Sequence, residues 1–343
     1  MSPTRSAVVL LTLLALTAPA WAIERLPFDT ISRAAVSGDD QKLIDEFTSQ
    51  WGQALASAKA DDPAMGSARD HLLDPLRQKY SPAFGTAYST ALSKHLTTAL
   101  ASDQSQVRIN AMIVASQLTR EVSDLVGTGL KDENPAVRYW AAKTAGQLGQ
   151  AATLSADEEA RVLASLSDAL ASEKSRLVAQ QILLGMSALN IPQANAQLLT
   201  LLEARVTTLR ANPTQSPAAE MRALLALMTR LTRATGAQTA DQLRQAARVL
   251  YLYMHLSSQA LLAEPTALEP SVRKDHEDNI VTAEKWLMWT YGKLGGSETL
   301  PGSVQNYIQQ KRYNEVRMIV QDEWKKTMRR DPYNFSDDQL SGK

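Results

Sequence analysis

The chain has 343 residues, 44% of them apolar, with 36 basic and 36 acidic side chains and no cysteine. That length and apolar share supply a substantial core, and the balanced charge gives no bulk electrostatic reason to seek nucleic acid or an anionic membrane. Without cysteine there is no disulfide, no thiol nucleophile and no cysteine-ligated zinc or iron–sulfur site, so burial alone must hold the fold.

In chain order, residues 1–22 read as a secretory signal peptide. Arg5 is the one charge before residue 23, Ala7 to Leu16 form a short apolar run, and Ala20-Trp21-Ala22 puts small residues at the −3 and −1 positions of a cleavage after Ala22. The alternative is an uncleaved anchor, but a membrane span takes about 20 apolar residues and this run is shorter. The expectation is an exported protein, periplasmic or extracellular, whose mature chain has no transmembrane segment.

From residue 23 onward apolar residues recur at spacings of three and four, the helix period, and alternating β-branched stretches are missing. Helices are predicted near 39–59, 66–80, 84–101, 104–119, 121–131, 135–149, 156–171, 173–190, 193–211, 217–235, 239–263, 271–294 and 303–329. The breaks have local causes. Asn212-Pro213 and Ser216-Pro217 bracket one loop and Glu264-Pro265 and Glu269-Pro270 another, because proline disfavours helix in the residue before it. Gly295-Gly296 ends a helix and Pro301-Gly302 precedes the next. Residues 331–343 are polar and unpatterned and are predicted to be a loose tail.

Three segments resemble one another. Each begins with a leucine (Leu100, Leu130, Leu170), passes a polar turn and reaches an apolar position at Val107, Val137 and Leu177, intervals of 30 and 40. The first two continue with Arg108 and Arg138, and the second carries Pro135 at its helix start. The stretch from Asp132 through Pro135, Val137, Arg138, Ala141 and Ala142 to Leu148-Gly149 resembles the first helix of a HEAT repeat, and Val162 to Leu170 resembles a second helix. The resemblance covers residues 100–211. It is good for one repeat, fair for the one before and weak for the one after, which lacks both the proline and the arginine. It implies an α-solenoid of antiparallel helix pairs. It also implies structural roles: a proline starting the helix, a valine in the core, and Arg108 and Arg138 bracing the turn or the neighbouring repeat.

The predicted fold is therefore all-α, with less regular helical flanks at 23–99 and 212–330. These are degenerate repeats or caps, since a stacked solenoid needs its end faces covered. A separate C-terminal bundle beginning near 217 is the alternative.

Several constellations could carry function. Arg244, Arg248, Tyr251 and His255 fall at i, i+4, i+7 and i+11 and share one helix side. They read either as a partner-contacting stripe or as a seam bridging neighbouring helices. Trp289 points away from the core stripe of its helix and is a candidate anchor for a partner, or packs on the next helix. The cluster Arg273 to Asp278 could serve acid–base or metal chemistry, or be a solvated first turn favoured by the helix dipole. The basic, aromatic stretch from Lys311 to Arg330 invites a surface-binding reading, yet cations also suit a helix C-terminus.

His71, His95, His255 and His276 form no close pair, so the zinc-protease signature is missing. There is no nucleophile elbow and no glycine-rich phosphate loop. No cofactor and no metal are expected, and no nucleic-acid partner. The leading expectation is an exported, non-catalytic binding or scaffold protein that presents its helical repeats to a protein or peptide. The alternatives are an enzyme or enzyme-accessory protein with a dispersed site, and a ligand-free structural component of the cell envelope.

Overall fold

The structure, a computed structural model, describes residues 23–59, 62–233, 237–263 and 268–341. The predicted signal peptide lies outside the described residues. Among those described there is no strand, and the protein is an all-α solenoid.

The helices are α1 (Phe28–Ser32), α2 (Gly38–Ser57), α3 (Pro63–Arg77), α4 (Pro82–Leu100), α5 (Ser105–Ala115), α6 (Ser123–Leu130), α7 (Pro135–Ala151), α8 (Ala156–Ser172), α9 (Arg176–Ala188), α10 (Pro192–Ala211), α11 (Ala218–Leu231), α12 (Ala237–Ala263) and α13 (Pro270–Lys293). Short helices follow: α14 (Gln305–Gln309), α15 (Tyr313–Met318), a π-helical turn (Ile319–Trp324), α16 (Lys325–Met328) and α17 (Asp337–Ser341). Their starts are written in the sequence. Pro63, Pro82, Pro135, Pro192 and Pro270 open helices where a missing N–H costs nothing. Ser37 with Asp40, and Ser155 with Glu158, close reciprocal capping boxes.

From α2 to α13 the helices alternate between two layers. Odd-numbered helices stack on odd (α3, α5, α7, α9, α11, α13) and even on even (α2, α4, α6, α8, α10, α12). The core lies between the layers, with Phe47, Leu72, Phe84, Leu92, Val107, Val126, Val137, Leu166, Ile182, Leu202, Leu224, Leu250 and Leu287 fully buried. The two-layer alternation thus runs on through both flanks. α7 and α9 are in closer contact than α8 and α10 behind them. Glycines make that approach possible: a Cβ on Gly146 would lie 3.5 Å from the Cα of Gly185, and one on Gly149 2.8 Å from the carbonyl oxygen of Ala188.

Three expectations are corrected. Val107 and Val137 are buried, but Leu177 is 69% exposed and Val178 takes the core position. Counted from the helix start, Val107, Val137 and Val178 are each the third residue of α5, α7 and α9. The repeat interval is therefore 41, not 40; with Arg176 in place of the proline, the start of α9 was hard to fix. The single helix predicted over 303–329 is interrupted, with Lys311 in the left-handed region (φ 58). A continuous helix carrying Ile308 and Val316 on its buried side would bring Arg312 to that side too. The break frees Arg312 to pair with Glu315 at the surface, 2.7 Å away. Beyond it, Val316, Val320, Trp324 and Met328 are all fully buried at intervals of four. An α-helix would rotate such a seam by about 40° per step, and the wider π-helical turn takes up that rotation.

The third correction concerns the C-terminus. Residues 331–341 are not a loose tail: Tyr333 and Leu340 are 2% exposed, and α17 packs on α12.

Candidate functional site: the odd helix layer

The repeat arginines are structural clamps. Arg108 grips Asp132 with Nε and Nη2 (2.7 and 3.1 Å) while Nη1 donates to the Ser102 carbonyl (2.9 Å). Arg138 repeats the pattern one repeat on, gripping Glu173 (2.7 and 2.9 Å) and donating to the carbonyls of Asp132 and Glu133 (2.8 and 2.9 Å). Each clamped acid also accepts from the backbone N–H two residues ahead, that of Asn134 or Ser175, both at 2.7 Å. Such bidentate, charge-assisted contacts fix one repeat against the next.

The stripe on α12 is a seam inside the molecule, not an open face. Arg244 Nε donates to the Pro332 carbonyl (3.0 Å) and Arg248 Nε to that of Gln339 (2.8 Å). Arg248 also pairs with Glu203 of α10. Tyr251 is 1% exposed and stacks on His255, ring centroids 6.0 Å apart. His255 Nε2 lies 3.2 Å from Gln321 in the π-helical turn. Burial, with Arg210 and Lys325 nearby, pushes its imidazole down to about 4. These groups border a cleft of about 450 Å³ that also touches Arg210, Asp322 and Ser341. The chain's own C-terminal segment covers the stripe that the sequence offered to a partner. Of the two readings weighed for these residues, the inter-helix one describes their geometry.

The other polar clusters are likewise used internally. Glu277 accepts from Lys311 and from the Tyr313 hydroxyl, both at 2.6 Å. Asp275 accepts from Ser216, and His276 is buried against Ser257. In the basic stretch, Lys325 and Arg329 meet Asp337, and Arg330 meets Glu298. His71 stacks on Trp51 and its Nδ1 lies 2.9 Å from the Glu24 carbonyl. Among the described residues no group of histidine and acidic side chains is placed to hold a metal, and no helix is long and apolar enough to cross a membrane.

What remains open is the outward face of the odd layer. There α5 shows Ile109 and Ile113, α7 Tyr139, Trp140 and Lys143, α9 Leu177, Gln180, Gln181 and Leu184, and α11 Arg222 and Leu225. On each helix these residues are neighbours or sit three or four apart, so they cover one broad side. Tyr139 and Trp140 meet edge to face, and Lys143 Nζ lies 4.2 Å from the Trp140 ring centre. Trp289, singled out in the sequence, joins the same layer: half-buried on α13, it is edge to face with Trp286 and lies beside Met288, which is 46% exposed. The even layer's outward side is different, with Asp124, Thr128, Arg161, Asp168, Thr200 and Thr207 exposed. Sequence periodicity hid the odd face, because an apolar residue outside the core stripe looks like more core.

Residues 93–187 match the family model for HEAT repeats. This stretch is a run of HEAT repeats. It takes in both arginine clamps and nearly all of α9; the resemblance read in the sequence ran further, to residue 211, and the match does not reach α10. A search of curated proteins finds no match. Among solved structures, the crystal structure of an engineered protein from the Northeast Structural Genomics Consortium aligns with 84% of this chain and 93% of its own at 15% identity. Its TM-score is 0.27, and that likeness carries no argument.

Proposed function

We propose that the protein is an exported scaffold that binds a protein or peptide partner across the outward face of its odd helix layer. One observation carries this reading. Apolar and aromatic side chains lie partly open on successive repeats (Ile113, Trp140, Leu177, Leu184, Leu225), while the exposed positions of α6 and α8 opposite them are mainly polar (Asp124, Thr128, Arg161, Asp168). Contiguous exposed apolar surface of this kind marks interaction sites on soluble proteins. Aromatic residues with a neighbouring cation, such as Trp140 with Lys143, are typical anchors. Export rests on residues 1–22, with Arg5, the apolar run and Ala20-Trp21-Ala22.

The test is affinity capture with residues 23–343 from envelope and secreted fractions of the source cells, beside Leu177→Asp and Trp140→Ala variants. Leu177 is exposed, so the first substitution leaves the core intact. A specific protein recovered in near-equal amount and lost with either variant supports the reading. Recovery of nothing beyond a mock column sinks it.

A further inference from the structure

The central part of the odd layer is poor in acid, although the chain as a whole is balanced. Four consecutive odd helices, α5, α7, α9 and α11, contain one acidic residue among them, Glu220. Glu220 is 1% exposed and is held by Arg205 at 2.5 Å. Their outward sides carry cations instead: Lys143 over Trp140, and the exposed Arg176 and Arg222. In the opposite layer, α6 and α8 hold Asp124, Asp157, Glu158 and Asp168, with Arg161 as the one exposed cation. Exposed acids flank this stretch: Asp103 and Glu133 in the turns before α5 and α7, and Asp70 and Asp278 on the neighbouring helices α3 and α13. From α5 to α11, an apolar face with isolated positive charges and no acid of its own sets a positive potential. It repels basic partners and steers acidic ones.

The face also bears amides. Gln180 and Gln181 lie side by side on α9, both half-buried. A glutamine amide both donates and accepts, so such a pair suits an extended backbone, whose N–H and C=O groups need partners. A helix satisfies its own. Packed helices are about 8–10 Å apart, so α5 to α11 present roughly 30 Å. About nine extended residues cover that distance at about 3.4 Å each.

We infer that the odd-layer face takes an extended segment of about nine residues from another protein, with apolar residues alternating with aspartate or glutamate. The inference rests on the scaffold reading above and adds the chemistry of the partner. Its leucine- or phenylalanine-type side chains seat among Ile113, Trp140, Leu184 and Leu225. Its carboxylates face Lys143, Arg176 and Arg222.

The experiment uses two fluorescein-labelled 12-residue peptides. One alternates leucine with aspartate, glutamate and serine, and the other has every acid replaced by lysine. Binding to residues 23–343 is read by fluorescence anisotropy at low and high salt. The acidic peptide is expected to bind at least tenfold more tightly than the lysine peptide, and to weaken as salt rises. Reversing three charges together (K143E, R176E, R222E) is expected to remove that preference, and Leu177→Asp to weaken both peptides; circular dichroism confirms that each variant is folded. Equal binding of the two peptides, a preference for the lysine peptide, or binding of neither overturns the inference. The capture experiment reports separately on the scaffold reading: a partner lost with Leu177→Asp but indifferent to the charge reversal leaves the scaffold standing and removes the acidic segment.

Discussion

With a side chain only 1% exposed, Glu173 keeps its charge because of two neighbours. Burial pushes its carboxyl up, but the hydrogen bonds from Arg138 and from the Ser175 N–H outweigh it, so the group is held below its ordinary value. A carboxylate with a depressed folded value stabilises the fold above its unfolded value and loses that contribution as pH falls through the folded one. Replacing Arg138 by Met leaves a buried acid with backbone donors alone, and breaking such a pair costs about 3 kcal/mol at neutral pH. In that variant burial dominates and the Glu173 carboxyl rises, so protonation relieves the defect. The gap in urea midpoint between wild type and Arg138→Met should therefore narrow as pH falls from 7 toward 4. A constant gap would mean that Glu173 does not titrate this way. The sequence showed this site in outline, since Arg108 and Arg138 each follow a buried valine at the same place in a repeat. It did not show the acid, because Glu173 lies 35 residues from Arg138 in a turn of the next repeat. Leu177 shows the limit of that legibility. With Leu177 and Val178 adjacent and no proline to mark the helix start, the apolar pattern fits two registers.

At the scale of the helix, close approach between α7 and α9 is the feature most open to test. A Cβ at Gly149 would stand 2.8 Å from the Ala188 carbonyl oxygen and 3.1 Å from the Leu189 nitrogen. Both are backbone atoms near the end of α9 and cannot swing aside. Gly149→Ala gains helix propensity, worth about 1 kcal/mol in isolation, yet overpacking costs about 1–3 kcal/mol and should win here. The variant is expected to have a lower urea midpoint than wild type. A higher midpoint would show that α7 and α9 separate without penalty. Helix existence was plain from the apolar period from α2 to α13, but not for the short α1 and α17. The break at Lys311 and the π-helical turn were not, because both serve a buried seam that becomes defined only when α12 is beside it.

Across the whole molecule, the C-terminal segment decides what the last helices expose. Composition made residues 331–343 look loose because their hold on the fold comes from few points. Tyr333 and Leu340 are buried, and the Tyr333 hydroxyl meets the Leu287 carbonyl and Thr290 at 2.7 and 2.6 Å. The carbonyls of Pro332, Gln339 and Ser341 take hydrogen bonds from Arg244, Arg248 and Arg210. The same oversight made the α12 stripe look available to a partner, since nothing in residues 239–263 reveals that the chain returns over them. Ending the protein after Met328 removes both anchors, about 4 kcal/mol at about 2 kcal/mol per buried side chain. It also takes one carbonyl acceptor from each of three arginines. In a repeat stack each unit contacts only its neighbours, so the damage should stay local. Hydrogen exchange of the truncated protein is expected to quicken in α12 and α13 while α5 to α9 keep their protection. Unchanged exchange in α12 would mean that the segment does not brace the fold. Faster exchange through α5 to α9 would mean that the solenoid unfolds as one unit, and that the odd-layer face cannot persist without the C-terminal cover.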